Sequence, residues 1–279
     1  MNRYIQIPLK VTALTPVIHF DDKTGGIIRT FKREHILYDG DTEQVPVYSG
    51  NAFRGILRRQ AMYDYLKHLD ITDEKIIDKL YYMLFSGGAL TSGARYNEVG
   101  ERRRMQQLCP PLALLGCAIG SQIPEGKAKG FRLKTVCKEN EEFTGVPSEI
   151  SCWDLVKIDF QTRRDDLKSG QADLISDEKK DREKDQAVQM FYKFETLITG
   201  AKLVGKIYIL FPTEIEMSCL AATLERFKEV PYIGGMSSKG FGEIKLEYEP
   251  FADPEVYYSY LAEHNDECRA WVREIEKAL

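Results

Sequence analysis

The six cysteines, Cys109, Cys117, Cys137, Cys152, Cys219 and Cys268, include no CxxC pair and have no histidine nearby at ligand spacing. Their arrangement argues against a zinc site. The amino-terminal stretch MNRYIQIPLKVTAL lacks the apolar run of a signal peptide, and nowhere does the chain approach the roughly 20 apolar residues of a membrane span. A cytoplasmic protein with reduced thiols and no membrane partner is expected. HExxH, GxSxG and dinucleotide fingerprints are all missing. GSQIPEGK at Gly120–Lys127 is the nearest approach to a phosphate-binding P-loop, but it has five residues between its glycines and Ala128 where a hydroxyl is needed. No cofactor and no metal are expected. The four histidines, His19, His35, His68 and His264, are scattered and read as surface or packing residues.

Excess positive charge is missing too. The 279 residues carry 39 Lys/Arg against 43 Asp/Glu, a net charge of −4, which excludes a protein that coats nucleic acid by bulk charge. The distribution is uneven, however. Arg95 to Lys138 holds nine basic and three acidic residues, whereas Glu249 to Leu279 holds three and eight. Phosphate contact is therefore confined to one face.

What is present reads as one large domain over residues 1–279. Alternation along YIQIPLKVTAL, residues 4–14, marks a strand that Thr15-Pro16 ends. Residues 15–48, punctuated by Asp-Asp, Gly-Gly and Asp-Gly-Asp, read as a long loop or loose hairpin. A helix follows from SGNAFRGILRRQAMYDYLKHL, with Ser49 or Asn51 as cap and Phe53, Ile56, Leu57, Met62, Leu66 and Leu69 as a buried stripe. Arg54 and Arg58, four apart, share a different and solvated face. A short helix ends at Gly87-Gly88, PPLALLGCAIG forms a buried helix or turn, and AKGFRLKTVC a strand. Residues 163–186 mix both charges with few apolar side chains and read as an exposed, mobile insertion. Two further strands, a helix over EIEMSCLAATLERFKEV, the loop PYIGGMSSKGFG and the strand FGEIKLEYEP complete the order. Two strand–helix–strand halves of this kind imply an α+β, ferredoxin-like sheet.

Two motifs point toward a polyanion. Arg29, Lys32 and Arg33 in RTFKR, and Arg54, Arg58 and Arg59 in FRGILRR, interleave cations with aromatic and aliphatic residues; guanidinium groups clamp phosphate and stack on bases. In the loop PYIGGMSSKGFG, Gly234, Gly235, Gly240 and Gly242 leave the backbone bare beside Ser237, Ser238 and Lys239. Such a loop is either a tight turn or a cradle for phosphate. Asp21 and Asp22, in HFDDKTGG, are read as a solvated turn; the alternative is a Mg²⁺ site for phosphodiester cleavage.

The pairing of VYSGNAFRGILRR with YIGGMSSKGFGEI resembles the RAMP superfamily of CRISPR proteins, and within it the Cas seven family of backbone subunits, type IV form. The resemblance implies an RNA-recognition-like palm with inserted thumb and finger elements, the helical thumb region falling in residues 85–186. It further implies a subunit that polymerises into a helical filament along crRNA, in an antiviral ribonucleoprotein. Its partners would be crRNA, further copies of itself, other CRISPR effector subunits, and target nucleic acid engaged through the guide. Ser49, Asn51, Arg54, Arg58 and Arg59 would face the RNA backbone, with Gly234 to Gly242 beside them. Binding without catalysis is the expectation; a metal-dependent endoribonuclease acting through Asp21/Asp22 is the alternative.

Overall fold

The computed structural model describes residues 3–21, 28–71, 75–88, 99–119, 122–164 and 189–279. Alternation builds the first strand, β1 (Tyr4–Ala13): Ile7, Leu9, Val11 and Ala13 are buried, whereas Tyr4, Gln6, Pro8 and Lys10 are exposed. One face of the strand is thereby committed to the core. The strands β2 (Ile28–Arg29), β3 (Arg33–Tyr38) and β4 (Asp41–Tyr48) precede helix α1 (Gly50–His68). Next come α2 (Asp78–Tyr81), α3 (Val99–Leu108), α4 (Pro110–Leu115), β5 (Ala128–Thr135), α5 (Glu141–Thr144), β6 (Val156–Arg164), β7 (Gln189–Leu197) and β8 (Lys202–Leu210). The chain closes with α6 (Glu214–Glu229), β9 (Ile244–Glu247), α7 (Pro254–Glu263) and α8 (Asn265–Ala278).

Six strands form the main sheet in the order β3-β4-β5-β8-β1-β9, with all neighbours antiparallel. Its part β9-β1-β8-β5 interleaves the units β1-α1-β5 and β8-α6-β9, which is the split β-α-β-β-α-β order. Helices α1 and α6 pack together, with the rings of Phe53 and Phe227 edge to face at 5.8 Å. A second sheet, β2-β7-β6, pairs β7 with β6 antiparallel and with β2 parallel. Among the described residues no helix is long and apolar enough to cross a membrane.

Two sequence expectations are corrected here. Residues 33–48 form a regular hairpin of the main sheet rather than a loose insertion, closed by Asp39 and Gly40, both at positive φ. Its alternation is hidden because Val45, Pro46, Val47 and Tyr48 are all buried, on both faces of β4. The region 85–186 is not wholly inserted either: β5 lies between β4 and β8 in the main sheet. Of the segment 163–186, Arg163 and Arg164 end β6, and the rest lies outside the described residues. The acidic carboxyl-terminal stretch forms the helices α7 and α8, and Tyr257, Leu261, Cys268, Trp271, Val272 and Ile275 from them are buried.

Helix α6 starts at a full capping box, in which Thr213 Oγ1 accepts from the Glu216 N–H at 3.2 Å and Glu216 Oε2 accepts from the Thr213 N–H at 2.9 Å. Replacing Thr213 by Ala is expected to cost about 1 kcal/mol. Urea denaturation read by circular dichroism should show a lower midpoint with an unchanged slope.

Candidate nucleic-acid interface

The amino-terminal end of α1 is fixed from two sides. Ser49 Oγ accepts from the Ala52 N–H at 3.4 Å, so Ser49, not Asn51, is the cap. The Ser49 N–H in turn donates to His19 Nε2 at 3.1 Å. An accepting Nε2 leaves the imidazole proton on Nδ1, in the neutral ring. No acidic side chain stands in the first turn of this 19-residue helix, so its positive end is not offset there.

The three arginines of α1 divide into two roles. Arg58 is 5% exposed, and its guanidinium donates to the carbonyls of Leu115 at 2.6 Å, Gly116 at 2.8 Å and Leu84 at 3.4 Å. Burial, reinforced by neighbouring Arg54, pushes it down to about 10, which leaves it cationic at neutral pH with both terminal nitrogens donating to backbone carbonyls. Half-buried Arg54 also donates to the Leu115 carbonyl, and burial lowers its pKa. The expectation that Arg54 and Arg58 share a solvated face is therefore overturned for Arg58. Spacing shows that two residues share a face without showing what covers it; here the cover is the turn after α4. Arg59 is exposed and has no carboxylate partner among the described residues.

Asn51, Gly55 and Arg59 lie at i, i+4 and i+8 along α1 and line the grooves on both sides of it. The larger groove, of about 840 Å³, runs between α1, the turns at Phe85–Gly87 and Gly116–Ala118, and β5. There the register of β5 with β8 shifts between Gly130 and Leu133; this irregularity buries Phe131 and leaves Lys129 and Arg132 lining the groove. Both cations are held by exposed or partly exposed ion pairs, Lys129 with Glu125 and Arg132 with Glu34. The Lys129 pair is of the exposed kind that contributes little and opens readily, whereas Glu34 is the more buried carboxylate. The smaller groove, of about 290 Å³, is lined by Ile18, His19, Tyr48, Asn51, Gly55, Arg59, Gly234 and Gly235.

Protein backbone crowds two glycines of the loop. Gly234 has φ +80 and its N–H donates to Tyr48 Oη at 2.8 Å; a Cβ there would stand 2.0 Å from the Ile18 carbonyl oxygen. Gly242, at φ +88, would meet the Ile233 carbonyl oxygen at 2.0 Å. These two are glycine because protein backbone occupies the side-chain position, so the reading that all four glycines clear space for a polynucleotide is corrected. Gly235 and Gly240 do face room: a Cβ at Gly235 meets its nearest atom at 3.9 Å, and one at Gly240 meets nothing within 4 Å. Ser237 and Ser238 are exposed, and Lys239 donates to Gln161 Oε1 of β6 at 2.7 Å.

The RTFKR residues are engaged within the chain. Lys32 pairs with Asp21 at 2.8 Å, Arg33 with Glu195 at 2.7 Å, and the Arg29 guanidinium lies 5.4 Å over the Phe20 ring. They do not line either groove with α1. Asp22 lies outside the described residues, and among the described residues no cluster of three His, Cys, Asp or Glu side chains forms a metal site. Sequence reading missed His19, Tyr48 and Gly55 as groove residues; the basic stretch KAKGFRLK, which adds to the case for a polyanion in sequence, holds Lys129 and Arg132. A lone glycine inside the strand pattern AKGFRLKT signals the irregularity behind the last two; His19 and Tyr48 carry no comparable signal.

Neither a protein-family model nor a curated protein matches the chain. Among solved structures, a chain of a Type IV-B CRISPR complex superposes with a TM-score of 0.65 at 19% identity, over 89% of this chain and 92% of that one. The likeness is one of fold.

Two substitutions separate the roles within this region. Arg58→Ala should destabilise the protein by about 3 kcal/mol, because buried carbonyls lose their donor; the drop appears in thermal and urea unfolding alike. Gly234→Ala should likewise lower the melting temperature or prevent folding, whereas Gly235→Ala should melt as wild type does.

Proposed function

We propose that this chain is a guide-binding backbone subunit of a multi-subunit CRISPR effector complex, one that holds crRNA and polymerises along it with further copies of itself. The observation that carries the reading is the Asn51–Gly55–Arg59 line: an open amide in the first turn of α1, a gap one turn on and, at mid-helix, an unpaired guanidinium, with a groove on either side. Backbone N–H groups and arginine recognise phosphate irrespective of base, as a sheath around a variable guide requires. The fold likeness to a chain of a Type IV-B CRISPR complex supports the same assignment. On this reading the main sheet is the palm and the β6–β7 hairpin the thumb. Other effector subunits would bind the filament, and the guide would engage the target by base pairing.

Contact with RNA is made through Arg59 and Asn51, with Gly235 across the smaller groove and exposed Ser237 and Ser238 further along the same loop. Arg54 and Arg58 act indirectly, by holding the wall of the larger groove. The subunit binds without cleaving, Asp21 serving as the partner of Lys32.

Protein expressed with its CRISPR array should co-purify with RNA of uniform guide length. Arg59→Ala with Asn51→Ala should weaken that binding by about 2–3 kcal/mol at an unchanged melting temperature, and by the same factor for every sequence. A double variant that binds like wild type at moderate salt would remove α1 from the interface. Asp21→Ala with Asp22→Ala should leave binding unchanged; Mg²⁺-dependent RNA cleavage present in wild type and lost in this variant would replace the proposal with the endoribonuclease alternative.

A further inference from the structure

The face of the main sheet turned away from α1 and α6 shares only Lys129 among its lysines with the interface described above, and its composition is unlike that of the whole chain. Alternation puts Tyr4 and Lys10 of β1 on this face. The register of β8 places Lys206 opposite Pro8, Lys202 opposite Thr12, and Tyr208 opposite Gln6. On the other flank of β8, Lys134 of β5 stands beside Val204, and its ammonium lies 4.9 Å from the centre of the Phe143 ring. Lys10, Lys202 and Lys206 are exposed and have no carboxylate partner among the described residues. Glu247 is the carboxylate that the register sets against Lys10, and Lys245 holds it at 2.9 Å. A protein of net charge −4 thus carries a sheet face on which Lys10, Lys202 and Lys206 have no ion-pair partner among the described residues.

We propose that this face is a second track for extended single-stranded nucleic acid, separate from the α1 grooves. Charge complementarity requires a polyanion. Two tyrosines set among the lysines specify its kind: Tyr4 is 59% exposed, and Tyr208 is its diagonal neighbour across the β1–β8 pair. Phosphates on ammonium groups and bases on aromatic rings are how single strands are held without regard to sequence. An acidic helix, such as the carboxyl-terminal helices of a second copy, would satisfy the lysines and leave both rings bare. Lys202 and Lys206 lie about 13 Å apart along β8 at the usual strand rise of ~3.3 Å per residue, so they bracket a stretch of backbone rather than one phosphate. Lys129 joins the two regions, because it stands beside Tyr208 in the sheet and also lines the larger groove. The inference goes beyond guide binding and does not require the α1 grooves to hold a guide.

The test uses full-length protein stripped of nucleic acid by nuclease and high salt, with a fluorescein-labelled oligouridylate as probe and anisotropy as readout across a salt series. Protein carrying Arg59→Ala and Asn51→Ala should retain a weaker, salt-sensitive binding event. Adding Lys10→Gln, Lys202→Gln and Lys206→Gln to it should weaken that event at least ~10-fold and reduce the slope of log affinity against log salt by about 2, three contacts at about 0.7 each. Tyr208→Ala should weaken the event and leave the slope unchanged. Melting temperatures should stay the same, since all these lysines are exposed. The inference is overturned if the lysine changes leave the residual binding intact, or if no residual binding exists at low salt. It is also overturned if the lysine variant binds RNA normally but loses self-association in sedimentation, which would assign the face to an acidic partner surface. Failure of the α1 reading looks different: the Arg59/Asn51 variant would then bind the probe exactly as tightly as wild type whatever the lysines do.

Discussion

The buried guanidinium of Arg58 is the constraint from which the geometry of the interface follows. A short helix such as α4 ends in carbonyls that have no partner within the helix, and in the interior each would cost free energy left unpaired. Arg58 supplies donors to Leu115, Gly116 and Leu84 at once. A planar, permanently charged fork can do this where lysine cannot. By joining α1 to the turn after α4 and to the turn before Gly87, it sets the width of the larger groove. Arg58 is thus spent on architecture, whereas neighbouring Arg59 is exposed and has no carboxylate partner among the described residues.

A similar division runs through the glycine loop. Gly234 and Gly242 are fixed by close approach to the carbonyls of Ile18 and Ile233, and Tyr48 reaches across from the end of β4 to accept from the loop backbone. Met236 and Phe241 then pack with Ile18 and Phe194 into a small cluster of their own. The loop is held at both ends against the two sheets, so Gly235 presents its backbone to the smaller groove from a fixed position. Its N–H is spent on the Ile18 carbonyl at 3.1 Å, so what it offers a ligand is close approach to the backbone rather than a donor.

How much of this is legible in the sequence depends on the range of the interaction. β1, α1 and α6 are readable because their signals are local: alternation in YIQIPLKVTAL, and apolar positions at helical spacing after Ser49 and after Thr213. Helix α8 is readable in the same way, since Cys268, Trp271, Val272 and Ile275 stand at i, i+3, i+4 and i+7; a reading by charge alone hides it. The two faces of β4 are not readable, because burial on both sides removes alternation. Nor is the fate of Arg58, whose partners lie 26 to 58 residues away, or of Gly234, which depends on Tyr48 at a separation of 186. Sequence signals therefore gather candidate residues without dividing them into those that hold the structure and those that face outward.

That division has an energetic consequence for binding. The cations left on the larger groove, Lys129 and Arg132, are not bare: each is held by a carboxylate, Glu125 and Glu34. Because the Lys129–Glu125 pair is largely exposed, exchanging Glu125 for a phosphate trades one weak contact for another and releases an acidic side chain to water. Arg132 differs, since Glu34 is the more buried partner and keeps one oxygen without any hydrogen-bond partner in the protein; giving up Arg132 would leave that carboxylate worse off. Of the two, Lys129 is the cation that can follow a ligand and Arg132 the one that stays. Adaptable charge then sits where β5 meets both the groove and the open face of the sheet, and fixed charge sits beside the hairpin that closes the sheet edge.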